Sequence, residues 1–266
     1  MSIVKNKRTR LGVLIALVVV LTTGCASGKR ELTARDYWPG GARWKQSTMQ
    51  ALKSRGTWVP LLGAAVVSID DWDQHLSEWA VENTPVFGST DHAQEASDNL
   101  RAATAVAMVG TALAVPNGSG AWETRPERIV LELLTIELNN GLTSGLKRLT
   151  DRERPDGVGD DSFPSGHSSQ AFVQTELACL NINGMRGLSE GWKIALKTSF
   201  RAMAWGTAWA RVEGGRHYPS DVLFGAALGN FVAIFVHNAF LPADSRTRVT
   251  AVISRREVSF SVALSF

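Results

Sequence analysis

The chain has 266 residues, enough for one domain of good size or two small ones. An apolar fraction of 44% and a charged fraction of 20% predict a globular protein and argue against a polytopic membrane protein. The net charge of +3 comes from the N-terminus, because four of the 28 Lys and Arg residues precede Cys25 and none of the 25 Asp and Glu residues does. The rest of the chain is nearly neutral, so no nucleic-acid partner is expected.

Residues 1–24 are typical of a bacterial export signal, with a basic start, the apolar run Leu11 to Leu21, and small residues after it. The run is short for a membrane span. It ends in LTTGC, which resembles the lipobox of bacterial lipoproteins with Cys25 as the lipidated residue, although Thr22 stands where that motif most often has Leu. An ordinary cleaved signal and an uncleaved anchor are the alternatives. Ala26 lacks the Asp associated with inner-membrane retention, so we predict a periplasm-facing lipoprotein of the outer membrane.

The middle of the chain predicts helices. Residues 25–57 are mixed in composition and indicate a tether with one short helix, whereas residues 58–242 form the predicted helical domain. No segment of this domain alternates strictly enough to indicate a strand, so an all-α helical bundle is expected. Helical patterns cover the apolar run from Trp58, the segment opened by Asp70, and the ranges 95–115, 124–149, 165–182, 188–211 and 219–240.

Residues 243–266 differ from the rest, because Val258, Phe260 and Val262 alternate with small residues after the run VTAVI and the tetrapeptide SRRE. This alternation predicts a C-terminal β-hairpin, lying on the helical body or pairing with a partner.

Several polar residues have structural explanations. Asp70, Asp71 and Asp73 are interpreted as acids of a first helical turn, which are commoner than a metal cluster. Cys179, the second of two cysteines, is a predicted core residue, and two cysteines do not make a metal framework. His75, His92 and His237 are interpreted as surface or core histidines.

Three separated segments contain polar residues that helix capping, burial or surface exposure does not explain. The first runs from Lys147 to Arg154-Pro155, the second is Pro164-Ser165-Gly166-His167, and the third runs from Arg211 to His217 and Asp221. Cationic side chains and a helix start are suited to holding the oxygens of a phosphoryl group. One histidine is suited to attack phosphorus while a carboxylate fixes its tautomer, and another to protonate the leaving oxygen. Together these groups predict phosphoryl transfer without a metal.

These segments resemble the signature of the type-2 phosphatidic acid phosphatase superfamily, which includes bacterial class A acid phosphatases and vanadium haloperoxidases. The signature is K-x6-R-P, then P-S-G-H, then S-R-x5-H-x3-D, and the resemblance extends over residues 58–241. The chain departs from it at Ala210, which replaces a Ser, and in the short gap between Pro155 and Pro164, which implies a tight loop over the site.

The resemblance implies a role for each matching residue. His217 would be the nucleophile that forms a phosphohistidine, oriented by Asp221, and His167 would be the general acid and then the base. The phosphate oxygens would be bound by Lys147, Arg154, Arg211, Ser165 and the Gly166 N–H. No metal or other cofactor is implied, although vanadate is expected to mimic phosphate.

The function predicted from these roles is hydrolysis of a phosphomonoester or a lipid (pyro)phosphate at a membrane to which Cys25 attaches the chain. A vanadate-dependent haloperoxidase is one alternative, and those enzymes are typically much larger chains. The other is a non-catalytic envelope scaffold, which has no need of His167, His217 and Asp221. Trp205 and Trp209 are either part of an apolar entrance or core residues.

Overall fold

A computed structural model describes residues 39–115 and 125–240 together with two strands, at 247–253 and 258–264. The predicted signal and lipidation site therefore lie outside the described residues. The described helices are α1 (Gly41–Lys53), α2 (Arg55–Val67), α3 (Trp72–Asn83), α4 (Thr90–Ala114), α5 (Arg125–Thr150), α6 (Gly166–Gly184), α7 (Glu190–Glu213) and α8 (Pro219–Phe240). The predicted helical bundle is confirmed, and the helix bounds differ little from those expected.

Serine caps define where three of the long helices begin. The hydroxyl oxygen of Ser89 accepts a hydrogen bond from the N–H of His92 at 3.1 Å, and Ser189 serves the start of α7 in the same way. Ser165 caps α6, accepting from the N–H of Ser168 at 3.4 Å. These side chains satisfy donors that the first helical turn leaves free. The cap of α6 lies inside the predicted site, so local helix chemistry positions part of it.

Helix α6 lies at the centre of the bundle, where it packs against α4, α5, α7 and α8. Its contact with α8 is close because two glycines of α8 face the backbone of α6. A Cβ atom at Gly225 would lie 2.7 Å from the carbonyl oxygen of Ser165, and one at Gly229 would meet the carbonyl oxygen of Ser169. The missing side chains let the start of α8, with Asp221, lie beside the start of α6, with Ser165.

Helix α1 lies within the predicted tether and packs on α8. The ring of Trp44 lies 5.1 Å from that of Phe235 and 5.9 Å from that of Phe240, between centroids. Aromatic contacts at these distances stabilise the pairing beyond the area that they bury.

The C-terminal strands β1 (Thr247–Ile253) and β2 (Val258–Leu264) pair antiparallel, with Val249 opposite Val262 and Ala251 opposite Phe260. They lie where the alternation predicted a hairpin.

In the described part of the chain, one helix has the length and composition of a membrane span. It is α8, whose most apolar window has a mean hydropathy of 1.6 and is 56% buried inside the bundle. A mostly buried core helix meets the same criteria, so this is weak evidence for a span.

Candidate active site

The ends of four helices and one loop bring the three predicted segments together. Lys147 lies in the last turn of α5, and Arg154 follows it in the loop at 151–163. The remaining residues lie at the start of α6, at the end of α7 and around the start of α8. The N–H of Ser165 donates to the carbonyl oxygen of Asp221 at 3.1 Å, which ties the second segment to the third.

His217 is buried, and one nitrogen of its ring is fixed. Its Nδ1 lies 2.7 Å from the carbonyl oxygen of Ser162, which is only an acceptor, so Nδ1 carries the proton and donates it. Nε2 then holds the free lone pair that a nucleophile needs. Burial, together with the charges of Arg211 and Lys147, lowers the pKa of His217 to about 4, so the ring is neutral at neutral pH.

Asp221 reaches His217 mainly through Ser162. Its Oδ2 lies 3.8 Å from Nδ1 of His217, but only 2.5 Å from the hydroxyl of Ser162, which donates to it. The N–H of Tyr218 donates to the same oxygen at 2.9 Å. The expected orientation of His217 by Asp221 is thus relayed through the residue whose carbonyl oxygen holds the ring. Its catalytic role remains a prediction.

Sequence reasoning missed Arg152, which lies inside the K-x6-R-P spacing and links three elements. Its guanidinium donates from Nη1 to Asp221 and from Nη2 to Asp73, at 2.7 Å in each case. Asp73 also accepts from the N–H of Ser220, in the first turn of α8, at 2.8 Å. Asp73 does lie in a first helical turn, as predicted, but it is buried and serves α8 as well as its own helix. The acidic cluster around Asp73 was visible in the sequence, but Arg152 lies 79 residues from Asp73, so spacing gave no reason to pair them.

His167 has a partner that no motif indicated. Its Nε2 lies 2.8 Å from Oδ1 of Asp98, on α4. The pKa of Asp98 is lowered, chiefly by this hydrogen bond. Burial and the charge of Arg211 outweigh the effect of Asp98 and lower the pKa of His167 to about 4. In the unliganded protein His167 is therefore neutral at neutral pH, and the negative charge of a bound phosphate would favour its protonation.

The cations of the site are largely buried. Arg211 is 6% exposed and donates to the hydroxyl of Ser97 at 3.3 Å. Burial and the nearby charges of Arg216 and Arg154 lower its pKa to about 10, which leaves it charged at neutral pH. Among the described residues, Nε of Arg154 and Nε of Arg211 are buried without a hydrogen-bond partner. Such donors are costly unless a ligand such as a phosphate uses them.

Lys147 and Arg154 both contact Asp161, in the loop that precedes α6. Oδ1 of Asp161 lies 2.6 Å from Nη2 of Arg154, and its Oδ2 lies 3.7 Å from Nζ of Lys147. Nζ of Lys147 also donates to the main-chain oxygen of Asp161. A Cβ at Gly166 would lie 4.0 Å from Cε of Lys147, so the start of α6 adjoins these cations.

The other residues singled out in the sequence lie elsewhere. His75 and His92 are exposed, and Cys179 is buried, with burial raising the pKa of its thiol to about 12. Trp209 packs against the core, and Trp205 contacts the ring of Phe172 edge-on while staying 43% exposed. Within the described residues, no group of three His, Cys, Asp or Glu side chains is placed to hold a metal ion.

Residues 123–244 match the PAP2 superfamily, and this range contains all the predicted catalytic and phosphate-binding residues. The helical bundle and the three motifs agree with this match. A solved structure of a transmembrane PAP2-type phosphatidylglycerolphosphate phosphatase from Bacillus subtilis has the same fold. It shares 20% identity and a TM-score of 0.53, over 71% of this chain and 94% of that one.

Two curated proteins are similar to parts of the chain. A lipid A 1-phosphatase of Porphyromonas gingivalis is 36% identical over 39% of this chain and 22% of its own length. A putative phosphatidate phosphatase of Drosophila melanogaster is 39% identical over 29% of this chain and 21% of its own length. The chain therefore spans about a fifth of the length of the curated relatives it matches.

Proposed function

We propose that this chain is a phosphatase that hydrolyses a lipid phosphate through a phosphohistidine intermediate. One observation carries the proposal: Nδ1 of His217 is held by the carbonyl oxygen of Ser162, so Nε2 is the unprotonated nitrogen in a site that also contains Lys147, Arg154 and Arg211. A neutral imidazole among buried cations is suited to attack an anionic phosphorus centre.

In the first step, Nε2 of His217 attacks phosphorus and forms an N–P bond while the bond from phosphorus to the leaving oxygen breaks. His167 gives a proton to that oxygen and becomes neutral. The three cations and the start of α6 stabilise the charge on the equatorial oxygens. Ser162 and Asp221 stabilise the positive charge that His217 acquires.

In the second step, neutral His167 takes a proton from a water molecule, whose oxygen attacks phosphorus. The N–P bond breaks, its electron pair returns to Nε2, and inorganic phosphate leaves. His167 ends the cycle protonated, ready for the next leaving group. No step in this sequence requires a metal ion, and vanadate is expected to inhibit by occupying the phosphate site.

Two observations favour a lipid substrate over a soluble one. The relatives described above are named for lipid A and phosphatidate. Apolar side chains on α2, on α3 and in the turn between them are also well exposed, as expected of a protein held at a membrane. They include Trp58 at 46%, Leu62 at 56%, Ile69 at 59%, Trp72 at 57% and Trp79 at 49%. With Cys25 as the lipid anchor, we place the chain at the bacterial cell envelope, facing the periplasm.

The test is phosphate release by the purified protein from phosphatidic acid, undecaprenyl pyrophosphate and a soluble monoester, with chelator present throughout. We expect turnover by the wild type and a loss of about three orders of magnitude or more in His217→Ala. His75→Ala, an exposed histidine on α3, serves as the control and should keep full activity.

Radiolabelled substrate should leave an acid-labile phosphohistidine in the wild type and none in His217→Ala. Label retained in that variant would assign the nucleophile elsewhere. If neither the wild type nor the variant releases phosphate from any of these substrates, the proposed phosphatase function is wrong.

A further inference from the structure

The candidate site contains an anion of its own. The Asp161 carboxylate lies between Lys147 and Arg154, with Oδ1 2.6 Å from Nη2 of Arg154 and Oδ2 3.7 Å from Nζ of Lys147. Burial opposes its ionisation, but these two cations hold the pKa of Asp161 below its usual range, so the group is charged at neutral pH. The side chain remains 51% exposed, whereas the Arg154 side chain is 13% exposed. A half-exposed carboxylate thus contacts two largely buried cations.

The backbone around Asp161 is fixed. The N–H of Ser162 donates to the carbonyl oxygen of Arg152 at 2.9 Å, and the N–H of Arg154 donates to that of Gly159 at 3.1 Å. The hydroxyl of Ser162 is held by Asp221, and its carbonyl oxygen by His217. Displacing the Asp161 carboxylate therefore requires rotation of one side chain and no opening of the loop.

Lys147 keeps a partner when this carboxylate leaves. Its Nζ also donates to the main-chain oxygen of Asp161, which the fixed backbone holds in place. Arg154, in contrast, loses its only described carboxylate partner and regains a free Nη2 beside its unpartnered Nε. Two donors of one guanidinium are then free for a phosphate, which is the bidentate arrangement that arginine favours.

We infer that Asp161 is an internal competitor for the phosphate site and sets the affinity of the enzyme for its substrate. Its carboxylate is the counter-ion that Lys147 and Arg154 share, and the substrate phosphoryl group must replace it. The inference rests on the proposed function, because it assigns these cations to phosphate. It also explains the short loop between Pro155 and Pro164, because a short, fixed loop holds the Asp161 carboxylate close to both Lys147 and Arg154.

The experiment compares Asp161→Asn with Asp160→Asn in the full chain. Asp160 is the neighbouring residue, is exposed, and has no ion pair to the cations of the site, so its substitution removes the same charge from the same loop. Binding of inorganic phosphate is measured by calorimetry, and KM and kcat are measured on the substrate that the wild type hydrolyses. We expect Asp161→Asn to bind phosphate about five-fold more tightly and to lower KM by a similar factor, with Asp160→Asn within about two-fold of wild type.

Thermal unfolding gives a readout that does not depend on turnover. Without phosphate, Asp161→Asn should melt at a lower temperature than Asp160→Asn, because its cations have lost their counter-ion. Phosphate should then raise its melting temperature more than that of the wild type.

An unchanged or weaker phosphate affinity in Asp161→Asn, in a wild-type background that binds phosphate and turns over, overturns this inference alone. Such a result would make Asp161 an organiser of the two cations. Absence of both phosphate binding and turnover in the wild type overturns the proposed function, and this inference with it.

Discussion

At the scale of single residues, the two histidines of the site differ in the group that holds each ring. Nδ1 of His217 donates to a main-chain carbonyl oxygen, whereas Nε2 of His167 lies against the carboxylate of Asp98. A carbonyl oxygen fixes a neutral tautomer, and a carboxylate favours the protonated ring. These partners suit His217 to act as the nucleophile and His167 to act as the acid.

Asp98 therefore carries a prediction about pH dependence. Its hydrogen bond and charge raise the pKa of His167 against the effect of burial, so Asp98→Asn should lower that pKa further. Less of the acid form is then present at any given pH. The alkaline limb of kcat/KM should shift by about one unit towards lower pH, with about a ten-fold loss at neutral pH. The measurement is the pH–rate profile of variant and wild type.

The control for this profile is Glu95→Gln, an exposed acid on the same helix. It should leave both the rate and the alkaline limb unchanged. A wild-type profile in Asp98→Asn would show that Asp98 does not act on the acid.

At the scale of elements, one guanidinium joins a loop to two helices. Arg152 belongs to the loop at 151–163, Asp73 to the first turn of α3, and Asp221 to the first turn of α8. Because Asp221 in turn holds Ser162, the position of His217 depends on how these elements pack. Arg152 is a positioning residue in this arrangement.

Arg152→Ala leaves two buried carboxylates without their cation. We expect a loss of about 2 kcal/mol in the free energy of unfolding, below the range for fully buried pairs because the Arg152 side chain is 34% exposed. We also expect kcat to fall with little change in KM, because Arg152 is not one of the predicted phosphate ligands and is paired with Asp73 and Asp221. Urea unfolding and steady-state kinetics measure the two effects.

Arg148→Ala, an exposed cation in the last turn of α5, is the matched control and should change neither quantity. Arg152→Lys should keep part of the stability that Arg152→Ala loses. The lysine ammonium can pair with one of the two carboxylates, whereas the guanidinium pairs with both. A fall in stability with kcat intact would make the link purely structural.

At the scale of the whole molecule, the proposed attachment at Cys25 would hold the domain beside the lipid substrate that we propose. The chain has two cysteines, and the second, Cys179, is buried in the bundle. Lipidation is therefore testable with a single substitution and an internal control.

When the full chain is expressed in a bacterial host with radiolabelled palmitate, the wild type should take up label and sediment with membranes. Cys25→Ser should lose the label completely, because the one other cysteine of the chain, Cys179, is buried in the folded bundle. Cys179→Ala should keep it. Label retained in Cys25→Ser would contradict the lipoprotein prediction.

Much of the fold was predictable from the sequence. The apolar periodicity located the long helices, and alternation located the C-terminal strands, because both patterns are local. The interpretation of Asp73 was incomplete, since helix chemistry explains an acid in a first turn and gives no reason to search for Arg152. Asp98 and Asp161 carried no local signal, because exposed acids are ordinary on helices and in loops.

The sequence alone determined which chemistry is proposed for this protein, since Lys147, Arg154, His167, Arg211 and His217 occur at spacings that few other functions require. Only the tertiary structure decided the partner of each of these groups. Ser162 holds His217, Asp98 holds His167, and Asp161 lies against Lys147 and Arg154. Spacing reports which residues share a helix face, but a hydrogen bond between helices depends on how closely they pack, which for α6 and α8 follows from Gly225 and Gly229.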